Sequence, residues 1–426
     1  MQSVIRRFGL ALGGFALAVL GLAACGDATS EPGHHDPGPT ACAGIGVDPS
    51  PGHTSPATMP VLGIGVDTMR YTSEIAVRGN LAYTSTWSVR RVQGNKVNIW
   101  DVSSACPQLV DSLIIDGVTT TGDIAVSDDG RLLVVATEYA GGSIVTYDLA
   151  DPRHPVFLSR FTNDQTSPGV HTAELGRVGG RLYAFLAVDP GGGAAARLVI
   201  VDLSTPSVPR QVFVKAVGNP FVHDTFERDG LLFVALWNNG MDIWDIGGGG
   251  HGGTPENPVV LGNVKTLGGE VHNVWWYHDA SGSKRFAFVG EEGPGSVGST
   301  SRGDIHVVDV SDLTKPKEVG VYHVDGAGTH NFSVDETHGV LYAAYYNAGV
   351  RALDIRGDLG TCTPSQQAFD ASANLYRCDL RAMGRELATG LTELDRRVYV
   401  WGVQYQDGVV YASDMLDGIW KLGAAK

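Results

Sequence analysis

Basic residues are scarce. Lys and Arg number 31 against 46 Asp and Glu, a formal charge of −15, which excludes the basic face that phosphate recognition requires. Nucleic acid is therefore not an expected partner, and an anionic lipid surface is not an electrostatic one. Charged residues of both signs make up only 18% of the chain. After residue 22 no apolar run is long enough to span a bilayer. Familiar catalytic signatures are missing as well: no Gly-x-Ser-x-Gly elbow, no phosphate loop and no His-Glu-x-x-His. The run GGGGHGG at 247–253 opens no helix and has no Lys behind it, so it reads as a flexible loop. Cysteine is limited to five, with no closely spaced pair, which argues against a thiolate metal site.

Glycine, by contrast, is plentiful at 57 of 426 residues, and it punctuates many short Val, Leu, Ile and Tyr runs. That combination predicts an all-β protein rich in tight turns. The first residues are of another kind. Arg6 and Arg7 precede an apolar stretch from Phe8 to Leu22, which closes on Leu22-Ala23-Ala24-Cys25. This resembles a bacterial lipoprotein signal, residues 1–24, with Cys25 as the acylated residue. Gly26 and not Asp follows the Cys. The resemblance implies a cell-envelope lipoprotein in the outer membrane of a Gram-negative bacterium, touching the membrane only through its lipid. Residues 25–60, dense in Pro, Gly, Ser and Thr, read as a flexible tether. The other cysteines are Cys42, Cys106, Cys362 and Cys378, an even number that favours two disulfides in an exported chain. Three pairings are open. Cys362 with Cys378 closes a short polar loop and is the preferred bridge, leaving Cys42 with Cys106.

From residue 61 to 424 one pattern recurs. VNIWDVSSACP, IVTYDLADPRHP, LVIVDLSTPSVP, MDIWDIGGGG, IHVVDVSDLTKP and VRALDIRGDLG each give an apolar strand, an Asp and a turn. The aspartates are Asp101, Asp148, Asp202, Asp245, Asp309 and Asp354, from 43 to 64 residues apart. Each can accept backbone N–H groups two residues on and fix the turn. A divergent seventh copy, DGIWKLG, has Lys421 at the Asp position. Four antiparallel strands per repeat predict a propeller blade. Seven blades result if PVLGIGVDT (60–68) supplies the fourth strand of the last. The copy Leu198-Val199-Ile200-Val201-Asp202 resembles the name motif of the LVIVD-repeat β-propellers, bacterial envelope proteins without an established activity. Residues 361–396 break the repeat: Leu380, Met383, Leu387, Leu391 and Leu394 recur at helical spacing. A short helical insertion between blades six and seven is expected there.

The openings of the innermost strands are SEIAV, GDIAV, VHTAEL, VHDTF, VHNVWW, THNFSV and WGVQYQ. They align Glu74, Asp123, His171, His223, His272 and His330, with the seventh position near Gly402. Innermost strands line a propeller's channel, so these residues should ring one mouth. The loops after the second strands return to that mouth with Glu138, Asp189, Asn238, Glu291, Glu292, Asn347 and Asp414. Histidines backed by carboxylates and amides suit one iron, copper or zinc ion. Carotenoid-cleaving oxygenases hold iron with four histidines on a seven-bladed propeller, a likeness of ligand type and fold without wider sequence match. A repeated hydrogen-bonding device at the strand entrance explains the same pattern without a metal. Trp237, Trp275, Trp276 and Tyr346 lie near the mouth or in the blade core, and the other histidines read as surface residues. Two functions stay open: an envelope protein that binds a protein or small ligand through one face, and a metal-dependent enzyme such as an oxidoreductase.

Overall fold

The computed structural model describes residues 57–425 apart from 89–91, 140, 294–300 and 393–396. The expected signal segment, most of the expected tether, Cys25 and Cys42 lie outside the described residues. Seven antiparallel sheets succeed one another along the chain. Their innermost strands, for blades one to seven, are Tyr71–Arg78, Ile124–Val126, Val170–Val178, Asp224–Arg228, Val271–Trp276, Phe332–Asp335 and Val400–Gln406. Three further strands run outward from each, forming a seven-bladed β-propeller.

The repeat's apolar run has two buried faces because each blade lies between two others. In blade three, Val199 and Val201 pack with Val134, Ala136 and Ile144 of blade two. Leu198 and Ile200 point the opposite way, onto Leu232, Val234 and Trp244 of blade four. Strand alternation makes both sets apolar, and each such side chain contributes about 1.5–3 kcal/mol on burial. At the strand's end the Asp closes the turn. Asp101, Asp148, Asp202, Asp309 and Asp354 each accept the backbone N–H two residues on, at 2.7–3.0 Å. Asp245 accepts four N–H groups, from Gly247, Gly249, His251 and Gly253. Burial opposes its charge, yet these donors hold its pKa down to about 2.

Blade seven is completed from the other end of the chain: Val61–Val66 pairs antiparallel with Gly418–Gly423. The seam with blade one buries Tyr411 and Ile419 against Val77 and Trp100, and polar contacts flank that core. Gln404 bonds both backbone groups of Val77, at 2.5 and 3.1 Å, and Gln406 both of Gly79, at 2.9 and 2.8 Å. Lys421 replaces the repeat's Asp, and its ammonium donates to the carbonyls of Val102 and Ser104 in blade one. The propeller also begins earlier than expected. Ala57–Thr58 pairs in parallel with Ala388 and Thr389 on the outer edge of blade six.

The expected helical insertion is a β-hairpin, and it lies inside blade six, between that blade's third strand (Val350–Asp354) and its outer strand (Glu386–Gly390). Among the described residues of 361–396 only a three-residue 3-10 turn, Pro364–Gln366, is helical. Gln367–Asp370 and Leu375–Asp379 form the hairpin, and the latter strand pairs in parallel with the outer strand of blade five. The leucine spacing that mimicked a helix comes from two different cores. Leu380 packs into the cluster of blades five and six, while Leu387 packs into that of blades six and seven. Gly384 (φ 72°) and Leu391 (φ 61°) sit in the left-handed region, which ends any helix. Leu394 lies outside the described residues. The Cys362–Cys378 disulfide, Cα–Cα 5.7 Å, closes the hairpin's base. Cys106 is disulfide-bonded as well.

His306, expected at the surface, is fully buried. Its Nδ1 lies 2.7 Å from Glu318 and its Nε2 3.0 Å from Glu291. Arg377 of the hairpin reaches the same Glu318 at 2.6 Å. Burial opposes a charge on His306, but Glu291 and then Glu318 raise its pKa to about 10 from 6.5. The folded-state value is raised, so this stabilisation is complete below about pH 6.5 and is lost as pH climbs through about 10. Denaturant unfolding of wild type and His306→Gln, compared between pH 6.5 and 10, should converge as pH rises. A gap that stays constant across that window contradicts a charged His306.

A candidate metal centre at the channel mouth

Strand register sorts the channel into layers. His171, His272 and Trp401 sit at β-bulges in their innermost strands, between residues that still pair with the second strand. A bulge re-aims the extra side chain. His223 and His330 occupy the same level, each donating its backbone N–H to the end of the neighbouring strand, Ala235 and Ala344. In blade two, Asp123 accepts from Ala136 as Asn331 does from Ala344. Asp123 therefore matches Asn331, and Gly122 matches His330. By the same register Ser73 stands at the histidine level of blade one. Glu74 and Asp123, aligned with the histidines from sequence, instead lie one level deeper, beside Asp224 and Asn331. The seventh member of the ring is Trp401, not Gly402.

The four histidines meet. Ring centroids are 4.2 Å apart for His171 and His223, 4.0 Å for His223 and His272, and 4.0 Å for His272 and His330. Trp401 continues the row 4.6 Å from His330. The nitrogens of His171 and His223 approach to 3.0 Å. His272 is 2% exposed, and neither of its ring nitrogens has a partner. Nδ1 of His223 and of His330 lacks a hydrogen-bond partner too. Burial first, and neighbouring imidazoles second, push His223 and His272 well below the ordinary histidine value, and burial and His223 do the same to His330. These rings are neutral, the form that ligates metals.

Carboxylates flank the row. His171 Nδ1 is 3.8 Å from Glu138 and 3.5 Å from Asp189. Burial opposes its charge, but Glu138 and Asp189 raise His171 to about 10. Glu138 fills the space that a side chain at residue 122 would take, since a Cβ on Gly122 would lie 2.1 Å from its Oε1. Its other partner is the Trp87 indole N–H, at 2.9 Å. Glu292 accepts the Tyr346 hydroxyl at 2.5 Å and lies 3.9 Å from His223. His330 Nδ1 is 3.6 Å from Glu74. Histidines, Glu74, Asp123, Glu138 and Asp224 enclose a cavity of ≈ 40 Å³. Beneath it a channel of ≈ 360 Å³ runs on between Ala76, Ala125, Glu174, Phe226, Trp275 and Gln404.

Four residues expected at the mouth stand apart. Strand alternation sends Glu291 away from the channel, to His306 and Thr266, while Glu292 faces the ring. Asn238 and Asn347 are exposed, and Asn347 donates to the carbonyl of Gly326. The residues before them reach the ring instead. Trp237 (φ 52°) stacks 5.2 Å from His223, and Tyr346 (φ 41°) lies 5.2 Å from His330. Asp414 holds the Tyr399 N–H and the Trp420 indole inside blade seven.

The LVIVD repeat model matches residues 183–214 and 300–324. This chain carries LVIVD repeats. A solved structure similar to it is the β-propeller domain of Myceliophteria thermophila Cps50 (Swd1), 12% identical with a TM-score of 0.56, over 86% of this chain and 100% of that one. At that identity the likeness shows the fold alone. No curated protein matches the sequence. The LVIVD segments are the second to outer strands of blade three and the third and outer strands of blade five, so none of the four histidines falls within them. The matched segments are scaffold strands, outside the histidine row.

Gly122→Ala should destabilise the propeller by about 1–3 kcal/mol through overpacking. With Glu138→Ala added, the total loss should be smaller than the sum of the two single losses, because the clash is gone. Strict additivity in denaturant melts would mean that Glu138 does not occupy the Gly122 gap.

Proposed function

We propose that this LVIVD-repeat propeller is a metal-binding protein of the cell envelope, with its ion held at the histidine-lined mouth. His272 carries the reading. Two buried ring nitrogens without a partner cost about 1–3 kcal/mol each, and metal ligation removes the cost of one of them. His223 and His330 flank it, Glu292 supplies a negative oxygen, and iron, copper and zinc all accept such donors. The cavity has room for an ion and little more, whereas pockets for organic ligands usually measure about 300–1,000 Å³. The size of this mouth favours holding an ion over turning over an organic substrate there. The wider channel beneath, lined by carboxylates, gives a cation an approach from the opposite face.

Protein purified without a His tag should contain iron, copper or zinc by elemental analysis. His272→Ala should contain less of it. Restoring the metal at about a hundred times its dissociation constant should stabilise the wild type by about 2.7 kcal/mol and stabilise His272→Ala by less. A metal-free wild type that gains no stability from any of the three ions refutes the reading.

Envelope attachment rests on the Leu-Ala-Ala-Cys segment that ends at Cys25. Acylation of Cys25 with two or three chains gives stable anchoring where one chain does not. Cys25→Ser should move the protein from the membrane fraction to the soluble fraction. Equal membrane association of the variant rules the anchor out.

A further inference from the structure

Resting on the reading of the mouth as a metal centre, we infer that it holds two ions side by side. The donors fall into two groups and not into one ring of four. His223, His272 and Glu292 form one, and Glu138, His171 and Asp189 form the other, with the ligand atoms of each group within 4.8 Å of one another. The groups adjoin where the His171 and His223 nitrogens stand 3.0 Å apart.

The distances fit ligands that share an ion. Two donors bound at about 2.0–2.1 Å in tetrahedral geometry lie about 3.4 Å from each other. His171 is 3.5 Å from Asp189 and 3.8 Å from Glu138, and His223 is 3.9 Å from Glu292. The buried His306 shows what direct hydrogen bonding looks like in this chain: 2.7 Å to Glu318. Around His171 the carboxylates stand too far for a short hydrogen bond and pair with the ring's positive charge, so an ion bound there takes the place of the ring's proton. Glycine makes room for both carboxylates. A Cβ at Gly122 would meet Glu138 at 2.1 Å, and one at Gly169, whose φ is +149°, would meet Asp189 at 2.9 Å.

The two positions differ in chemistry. The inner one offers two imidazoles and a carboxylate, and suits zinc, copper or iron. The outer one offers one imidazole and two carboxylates, a harder set that suits divalent manganese, iron or zinc.

Zinc alone serves as the probe, added to metal-stripped full chain and counted by equilibrium dialysis with elemental analysis. Wild type should take two equivalents. Glu138→Gln with Asp189→Asn should take one, and so should His272→Ala with Glu292→Gln, each folded by near-ultraviolet circular dichroism. Cobalt(II) in place of zinc should give coupled electron paramagnetic resonance in wild type and an uncoupled signal in both variants. One equivalent in wild type, unchanged by Glu138→Gln with Asp189→Asn, overturns the second ion and leaves the metal centre standing. No zinc bound at all overturns both.

Discussion

Every blade of this propeller has two apolar faces, and a sheet of four strands can cover neither by itself. Val199 and Ile200 are adjacent in sequence and both fully buried, one against blade two and the other against blade four. That arrangement requires a neighbour on each side of every blade, which only a closed ring supplies. The last gap is closed by Val61–Val66, by the Gln404 and Gln406 amides and by the Lys421 ammonium. Circular closure brings residues some fifty positions apart to a common axis. The histidine row exists because of it.

The mouth is built by a local device repeated at one strand level. A bulge, or the residue just before the strand, turns a side chain inward, and what stands there decides the chemistry. Four blades put imidazole at this level, blade seven puts an indole, and blade two puts nothing, so that Glu138 can enter from a loop. The carboxyl layer one level deeper has its own character. Burial, then Asp123, raises Glu74 well above the usual carboxylate value, and burial and Asp123 bring Asp224 to about 7. The imidazole row therefore rests on carboxyl groups that hold their protons far more readily than exposed ones.

Polar groups elsewhere follow the repeat more closely than they first seem to. The second position of the Asp-terminated strand is Val145 or Val199 in two blades, but Asn98, Asp242, His306 or Arg351 in four. Each polar one finds a partner: Asp242, His306 and Arg351 on the outer strands of their own blades, in Asn263, Glu318 and Glu386, and Asn98 in Asp67, just after the outer strand of blade seven. The buried position of His306 could have been seen by setting IHVVD beneath LVIVD. Seen alone, a histidine in a strand carries no such mark.

The blade count, the closing strand and the turn-fixing aspartates were legible in sequence because they depend on local chemistry: period-two burial, a carboxylate within reach of the next N–H groups, and a repeat length. The convergence of His171, His223, His272 and His330 was legible for the same reason, since equivalent positions in equivalent blades must share an axis. Sequence could not fix what depends on packing between elements. The leucines of 380–391 keep helical spacing while serving two cores, so only the docking against blade five decides for a hairpin. Glu74 and Asp123 fall one level too deep because the level is set by how the innermost strand pairs with the second strand, by way of a bulge in blade one, and the residues themselves do not mark that pairing. The split of the histidines into two carboxylate-backed groups is likewise tertiary, because it depends on how far loops from different blades reach across the mouth.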